Sequence, residues 1–273
     1  MASLPATEHI RLEAKGPVLH LWLNRPEAKN AMSAQMVGEI AATFAAIAGD
    51  RAVRVVVLRG EGETFCAGGD IKSMSAAPDA PQPGAADALR ENNRAFGAML
   101  ASVNAAPQAV IAAVEGNAMG GGFGLACVAD ITIARADATF AMTEVTLGIV
   151  PAAISPFVVE RIGLTAARRF AVSGGRLSGQ EARDIGLAHL AVKDRSALDH
   201  AVVEAINQVL KCAPGAVAET KRLMLRAAGP APLAALLDDA ADCFARAVRG
   251  EEGREGTKAF VEKRRPAWFT QAQ

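Results

Sequence analysis

Glu115-Gly116-Asn117-Ala118-Met119-Gly120-Gly121-Gly122-Phe123-Gly124 follows the apolar run Ala109–Val114 and leads into Leu125-Ala126-Cys127-Val128. A β-forming run, a cluster of glycines and then helix-compatible residues reads as strand, tight loop and helix start. Three consecutive glycines leave backbone N–H groups uncovered and let a ligand atom approach the main chain. At a helix N-terminus such groups have no intrahelical partner and lie at the positive end of the helix dipole. The place suits an anion, or an oxygen about to become one. A phosphate loop fits less well, because Gly122-Phe123-Gly124-Leu125-Ala126-Cys127 lacks the third glycine of Gly-x-Gly-x-x-Gly and no Lys-Ser/Thr pair follows. Tight packing of a turn accounts for any one of these glycines, and less readily for three in a row.

A second glycine cluster, Phe65-Cys66-Ala67-Gly68-Gly69-Asp70-Ile71-Lys72, comes just after the apolar run Val53–Leu58. With Asn24-Arg25-Pro26-Glu27-Ala28-Lys29-Asn30-Ala31-Met32, Gly116–Asp130 and Phe140–Pro151, it makes four blocks that resemble the enoyl-CoA hydratase/isomerase superfamily, the crotonase fold. The resemblance runs from about Leu19 to Trp268. It implies a spiral of β-β-α units carrying the active site over residues 1–195, and a C-terminal helical trimerisation region over 196–273. It also implies an acyl-CoA substrate, with coenzyme A part of the substrate and no separate cofactor or metal, and a homotrimer or homohexamer.

The bulk numbers are compatible with this. Half of the 273 residues are hydrophobic and few are aromatic, so Ala, Val and Leu must fill the core. With 29 basic and 29 acidic residues, formal net charge is zero and gives no global attraction to nucleic acid or anionic membrane. Cys66, Cys127, Cys212 and Cys243 show no Cys-x-x-Cys spacing, which fits reduced thiols in a cytosol-like compartment. Met1–Ile10 has no apolar signal core, and no run approaches the roughly 18 residues of a membrane span. The expectation is a soluble cytoplasmic protein.

Along the chain, His9–Lys15 and Val18–Leu23 read as two strands around Gly16-Pro17, Ser33 caps a helix through Ile47, and Arg51–Arg59 is a buried-type strand. Ala76–Ala86, rich in Ala, Pro and Gly, reads as a mobile loop near the site mouth or as an insertion without a role. Ala88–Asn104 is helical, Ala109–Val114 a strand, Gly121–Val128 a helix, Asp130–Arg135 a strand and Thr139–Met142 a short extended piece. From Ile154 strands nearly vanish. Thr165–Val172, Ser178–Ile185, Ser196–Lys211, Pro214–Ala227, Pro230–Val248 and Glu255–Lys263 read as helices, with a short apolar piece at Leu187–Val192. Periodicity alone gives an α/β half followed by an α half.

The chemistry follows from the thioester. Removal of its α-proton, or attack at the β-carbon of its enoyl form, puts charge on the same carbonyl oxygen, so the site needs two N–H donors and a proton-transfer group. The resemblance assigns the donors to the backbone of Gly69 and Gly121; losing one such donor typically costs ~3–4 kcal/mol. It assigns coenzyme A contacts to Arg25, Ala28, Lys29, Ala67, Asp70 and Ile71, and a reach into a neighbouring subunit's ligand to Phe244, Phe260 and Lys263. Hydratases of the family usually carry two glutamates. The position two residues after the triple glycine is Gly124 here, while Phe140-Ala141-Met142-Thr143-Glu144 retains the other. Glu144 is therefore the expected general acid/base.

One glutamate serves either a hydratase or an isomerase that shuttles a proton between α and γ carbons. After Leu147-Gly148-Ile149-Val150, Pro151-Ala152-Ala153-Ile154-Ser155 stands where the family commonly has Pro-Gly-Ala-Gly-Gly; with the triple glycine followed by Phe123-Gly124, this resembles hydratases of 3-methylglutaconyl-CoA and isohexenylglutaconyl-CoA. The first expectation is such a lyase. The alternatives are an enoyl-CoA isomerase and a non-catalytic acyl-CoA-binding protein. His9, His20, His189 and His200 match no catalytic block.

Overall fold

Residues 3–75 and 86–272 are described by the computed structural model. The loop expected over Ala76–Ala86 lies outside the described residues, apart from Ala86. Strands β1 (Ile10–Lys15) and β2 (Val18–Leu23) form an antiparallel hairpin, its turn made possible by Gly16 at φ +54°. A single helical turn, Pro26–Ala28, leads to α1 (Ala34–Ile47), whose N-cap Ser33 accepts the Met36 N–H. Then come β3 (Val55–Gly60), α2 (Ile71–Ser75), α3 (Ala88–Asn104), β4 (Ala109–Val114), β5 (Asn117–Met119), α4 (Gly121–Cys127), β6 (Ile131–Arg135) and β7 (Thr139–Ala141). A turn at Glu144–Leu147 precedes α5 (Ser155–Ser173), β8 (Arg176–Ser178), α6 (Gly179–Asp184) and β9 (Leu190–Val192). Helices α7 (Arg195–Leu210), α8 (Pro214–Ala228), α9 (Leu233–Arg249) and α10 (Glu251–Val261) close the chain.

The larger sheet runs β1-β2-β3-β4-β6-β9, parallel from β2 onwards, and the smaller runs β5-β7-β8. Alternation along the strands divides the core. Val55, Val57, Ile111, Ala113 and Ile133 face Leu198, Val202, Ile206 and Leu210 of α7. Val56, Leu58, Val110, Ala112 and Val114 face the main core, which holds α1, α3, α4 and the second sheet. Both faces are thus covered, which is why β3 and β4 are apolar throughout.

Each step of the spiral crosses from the larger sheet to the smaller and returns through a helix. Strand β4, strand β5 and helix α4 make one step; β6, β7 and α5 make the next. The β3 step has only an isolated parallel bridge, Cys66 with Ala118, where the others have a strand. The mixed α/β fold with β-β-α units and C-terminal helices is the expected one.

Several expected boundaries move. Strands β8 and β9 lie in the stretch where strands were expected nearly to vanish; three residues are too few to show a period of two. Helix α5 begins at Ser155, ten residues before the expected Thr165, with Pro156 in its first turn and Gly163 at φ +73° interrupting it. Helix α10 begins at Glu251 rather than Glu255. Helix α7, the first of the expected C-terminal region, is integral to the core of the sheet. No helix among the described residues is long and apolar enough to cross a membrane.

Buried Arg54 fastens the C-terminal segments to the sheet. Its guanidinium donates to the carbonyls of Leu210 (3.0 Å) and Cys212 at the end of α7, and to the carbonyl of Trp268 (2.7 Å). An apolar replacement leaves these carbonyls without a donor. We expect Arg54→Leu to lower unfolding free energy by about 2–4 kcal/mol in urea titration. An unchanged midpoint would show that the carbonyls find water instead.

Candidate active site

The site is built where the two glycine clusters meet. Backbone bonds stitch them: Phe65 N–H donates to Glu115 O (2.9 Å), Cys66 N–H to Asn117 O (2.8 Å) and Met119 N–H to Cys66 O (2.9 Å). A Cβ on Gly122 would stand 2.6 Å from Cys66 Cβ, so only glycine lets α4 start against this bridge. Cys66 is fully buried, which pushes its thiol up to about 12, and it serves as a packing group.

Two N–H groups are left over. Met32 N–H donates to Gly68 O and Asp70 N–H to Met32 O, a parallel bridge in which Gly69's own N–H points to the opposite side. Gly121 is the first residue of α4, where an N–H has no intrahelical acceptor. Neither N–H has an acceptor among the described residues. The two are neighbours through Met32, whose backbone pairs with Gly69 and whose Sδ lies 3.4 Å from where a Gly121 Cβ would be. Helix α3 comes up beside Gly121, with Phe96 Cζ 3.2 Å from that same position.

The carboxylate arrives by strand register. Met119 of β5 pairs with Ala141 of β7, and Gly120 N–H donates to Ala141 O (2.8 Å), so Glu144, three residues on, comes beside Gly120. Its Oε1 lies 2.7 Å from where a Gly120 Cβ would stand, next to the Gly121 donor. Its Oε2 is buried and has no hydrogen-bond partner among the described residues. Burial raises the Glu144 pKa above the ordinary glutamate value, opposed only in part by a hydrogen bond from its own N–H.

The Asn24–Met32 block forms one edge of the site. Arg25 donates to Ala31 O (2.7 Å) and Asp70 (3.1 Å), joining the first block to the second glycine cluster. Burial would raise the Asp70 carboxyl, but the Ser73 N–H and the Arg25 guanidinium outweigh it and hold it below its ordinary value. Ala67 N–H donates to Lys29 O (3.0 Å), which places Ala28 and Lys29 beside Ala67. Ile71 and Lys29 are exposed at this edge. Phe244 and Phe260, 72% and 84% exposed, stand on α9 and α10, and Lys263 just after α10 is exposed at φ +55°.

One residue essential to this geometry escaped the sequence reading. Asn30 is fully buried at φ +56°, accepts from Arg25 N–H and donates to the carbonyls of Glu61 (2.9 Å) and Thr64 (2.7 Å). Asparagine's tolerance of the left-handed region was the available signal. Ile154, in the stretch already singled out after Leu147, fills the space beside Gly124, a pairing across thirty residues that no local pattern shows.

Residues 13–271 match the family model for enoyl-CoA hydratase/isomerase. The structure is similar to Pseudomonas aeruginosa AtuE, with 52% identity, a TM-score of 0.92 and coverage of 96% of this chain and 100% of that one. It is also similar to an enoyl-CoA hydratase/isomerase from Marinobacter aquaeolei, with 50% identity, a TM-score of 0.91 and coverage of 95% and 98%. Among curated relatives, mevalonyl-coenzyme A hydratase SIDH of Beauveria bassiana is 33% identical over 257 residues, covering 92% of this chain and 91% of that one. This chain belongs to the enoyl-CoA hydratase/isomerase family.

Proposed function

We propose that this protein hydrates a branched glutaconyl-CoA thioester, 3-methylglutaconyl-CoA or isohexenylglutaconyl-CoA, with Glu144 as its one acid/base. The observation that carries this reading is the desolvated carboxylate of Glu144 next to the free Gly121 N–H, with no acid at Gly124. The thioester oxygen accepts from Gly69 and Gly121 N–H. Glu144 takes a proton from water as the water oxygen bonds to C3, and the C2=C3 electrons move onto the thioester oxygen as an enolate. Glu144 then returns the proton to C2, so that one water has added and the carboxylate is restored. Lys29 offers an ammonium to the coenzyme A phosphates, while Arg25, held by Asp70 and Ala31, shapes the edge.

Mass spectrometry after incubation in ¹⁸O-water with the two glutaconyl esters and a straight-chain 3-enoyl-CoA tests the proposal. Labelled hydroxyacyl-CoA from a glutaconyl ester is the expected product. A double-bond shift without mass gain, confined to the 3-enoyl ester, would make the protein an isomerase, and binding without turnover a carrier.

Glu144→Gln separates activity from stability. We expect turnover to fall ~10²–10⁴-fold. In the parent, activity should fall as pH drops through a Glu144 pKa above the ordinary glutamate range. That raised pKa also means the folded state favours the protonated acid, so its stabilising contribution is full at low pH and lost as pH rises through the folded value. At neutral pH the Gln variant should therefore melt no lower than the parent. A variant that keeps its turnover would remove Glu144 from the mechanism.

The C-terminal helices carry the proposed homotrimer or homohexamer contact. Leu233, Leu237, Phe244 and Val248 recur along an exposed face of α9, with Phe260 and Val261 exposed on α10. Sedimentation should show a trimer or a multiple of it, and Leu237→Asp/Phe244→Asp should dissociate it. A monomeric parent would sink this assignment.

A further inference from the structure

The place where a second carboxylate would stand is closed by a side chain. A Cβ built on Gly124 would lie 2.3 Å from Ile154 Cγ2, 2.9 Å from Ile154 Cβ and 3.4 Å from Leu100 Cδ1. The contact at Ile154 Cβ decides the matter, because rotation about χ1 leaves Cβ where it is and a shorter side chain such as alanine keeps it. Ile154 is held at its backbone by local hydrogen bonds. It is 2% exposed and caps α5, where Val158 N–H donates to its carbonyl (3.0 Å), Ser155 N–H donates to Ala152 O and Ser155 Oγ to Pro151 O (2.6 Å). Gly124 is the fourth residue of α4, one turn below the Gly121 donor, so the closed space adjoins the site. Its wall is hydrocarbon: Phe96 at Gly121, then Leu100 and Ile154 at Gly124.

We infer that Ile154 is a specificity-determining residue that locks position 124 to glycine, and so holds this protein to single-carboxylate chemistry and away from two-carboxylate hydration of straight-chain enoyl-CoA. The inference deepens the proposed function and rests on its reading of Glu144. A side chain at 124 escapes overpacking only when residue 154 is glycine.

The test compares Gly124→Ala, Ile154→Gly, their combination, and Gly124→Glu/Ile154→Gly, each as full-length protein. Alanine ordinarily favours a helix over glycine. Here Gly124→Ala should lower Tm by ~5 °C in the parent, through overpacking, and raise it in the Ile154→Gly background. Gly124→Glu/Ile154→Gly should hydrate crotonyl-CoA ~10²-fold faster than the parent. A Gly124→Ala shift of the same sign in both backgrounds would overturn the lock. A folded Gly124→Glu/Ile154→Gly variant no faster on crotonyl-CoA would overturn the specificity assignment, and the alanine pair still tests the lock if the glutamate variant does not fold. The Tm coupling is read without substrate, so a parent inactive on both glutaconyl esters would sink the proposed function alone.

Discussion

Everything in the site depends on the close approach of two backbone segments, Phe65–Asp70 and Glu115–Gly122. Their hydrogen bonds are made through the residues flanking the donors, and this leaves the N–H groups of Gly69 and Gly121 unspent. Peptide groups held in this way cannot turn to satisfy themselves elsewhere, which is the preorganisation that the proposed oxyanion role asks for. The missing side chain at Gly122 is the condition for the approach, since Cys66 occupies the room that a Cβ would need. The spiral supplies the rest: the parallel sheet behind and the small sheet in front hold both segments at fixed register.

The same register delivers Glu144, at a cost to the folded state. Its Oε2 is buried without a donor, and no cation is among the influences on its titration. A carboxylate in that condition is less stable than one on the surface and more basic, which is what a proton shuttle needs. Asp70 shows the contrast. It is held ionised by Arg25 and a Ser73 N–H, and it acts as a strut between the first block and the glycine loop. Environment, and not residue type, shifts these two acids in opposite directions.

How much of this could be read in the sequence follows from the range of the forces involved. The hairpin, α1, α3 and β4 were legible because their burial repeats within one element; α3 and β4 fall on the expected residues. Strands β5 and β8 were not, since they sit among glycines or at a helix start and take extended structure from their sheet partners, whereas β7 and β9 lie within short apolar pieces that were seen. The first half of α5 was hidden by Pro156 and Gly163, which locally argue against helix while the surrounding core demands one. Of the candidate site, Gly69, Gly121 and Glu144 were named through the resemblance to the family and not through any local period. Asn30 acts through contacts made only on folding, and the particular pairings of Cys66 with Gly122 and of Ile154 with Gly124 likewise arise only there.

The hydrocarbon beside Gly124 also bears on the charge of Glu144. A second glutamate there would be a like charge in a poorly solvated space, and would push the Glu144 pKa higher than burial alone does. With Ile154 in that space, burial is the influence that raises the Glu144 pKa, and no second carboxylate adds to it. A glutaconyl ester brings a carboxylate of its own, so the like charge would enter only with the substrate. Glu144 would then become more basic on binding, when a water is to be activated, and relax when product leaves. In a site with fixed paired carboxylates the repulsion is permanent, whereas here it would be conditional on occupancy.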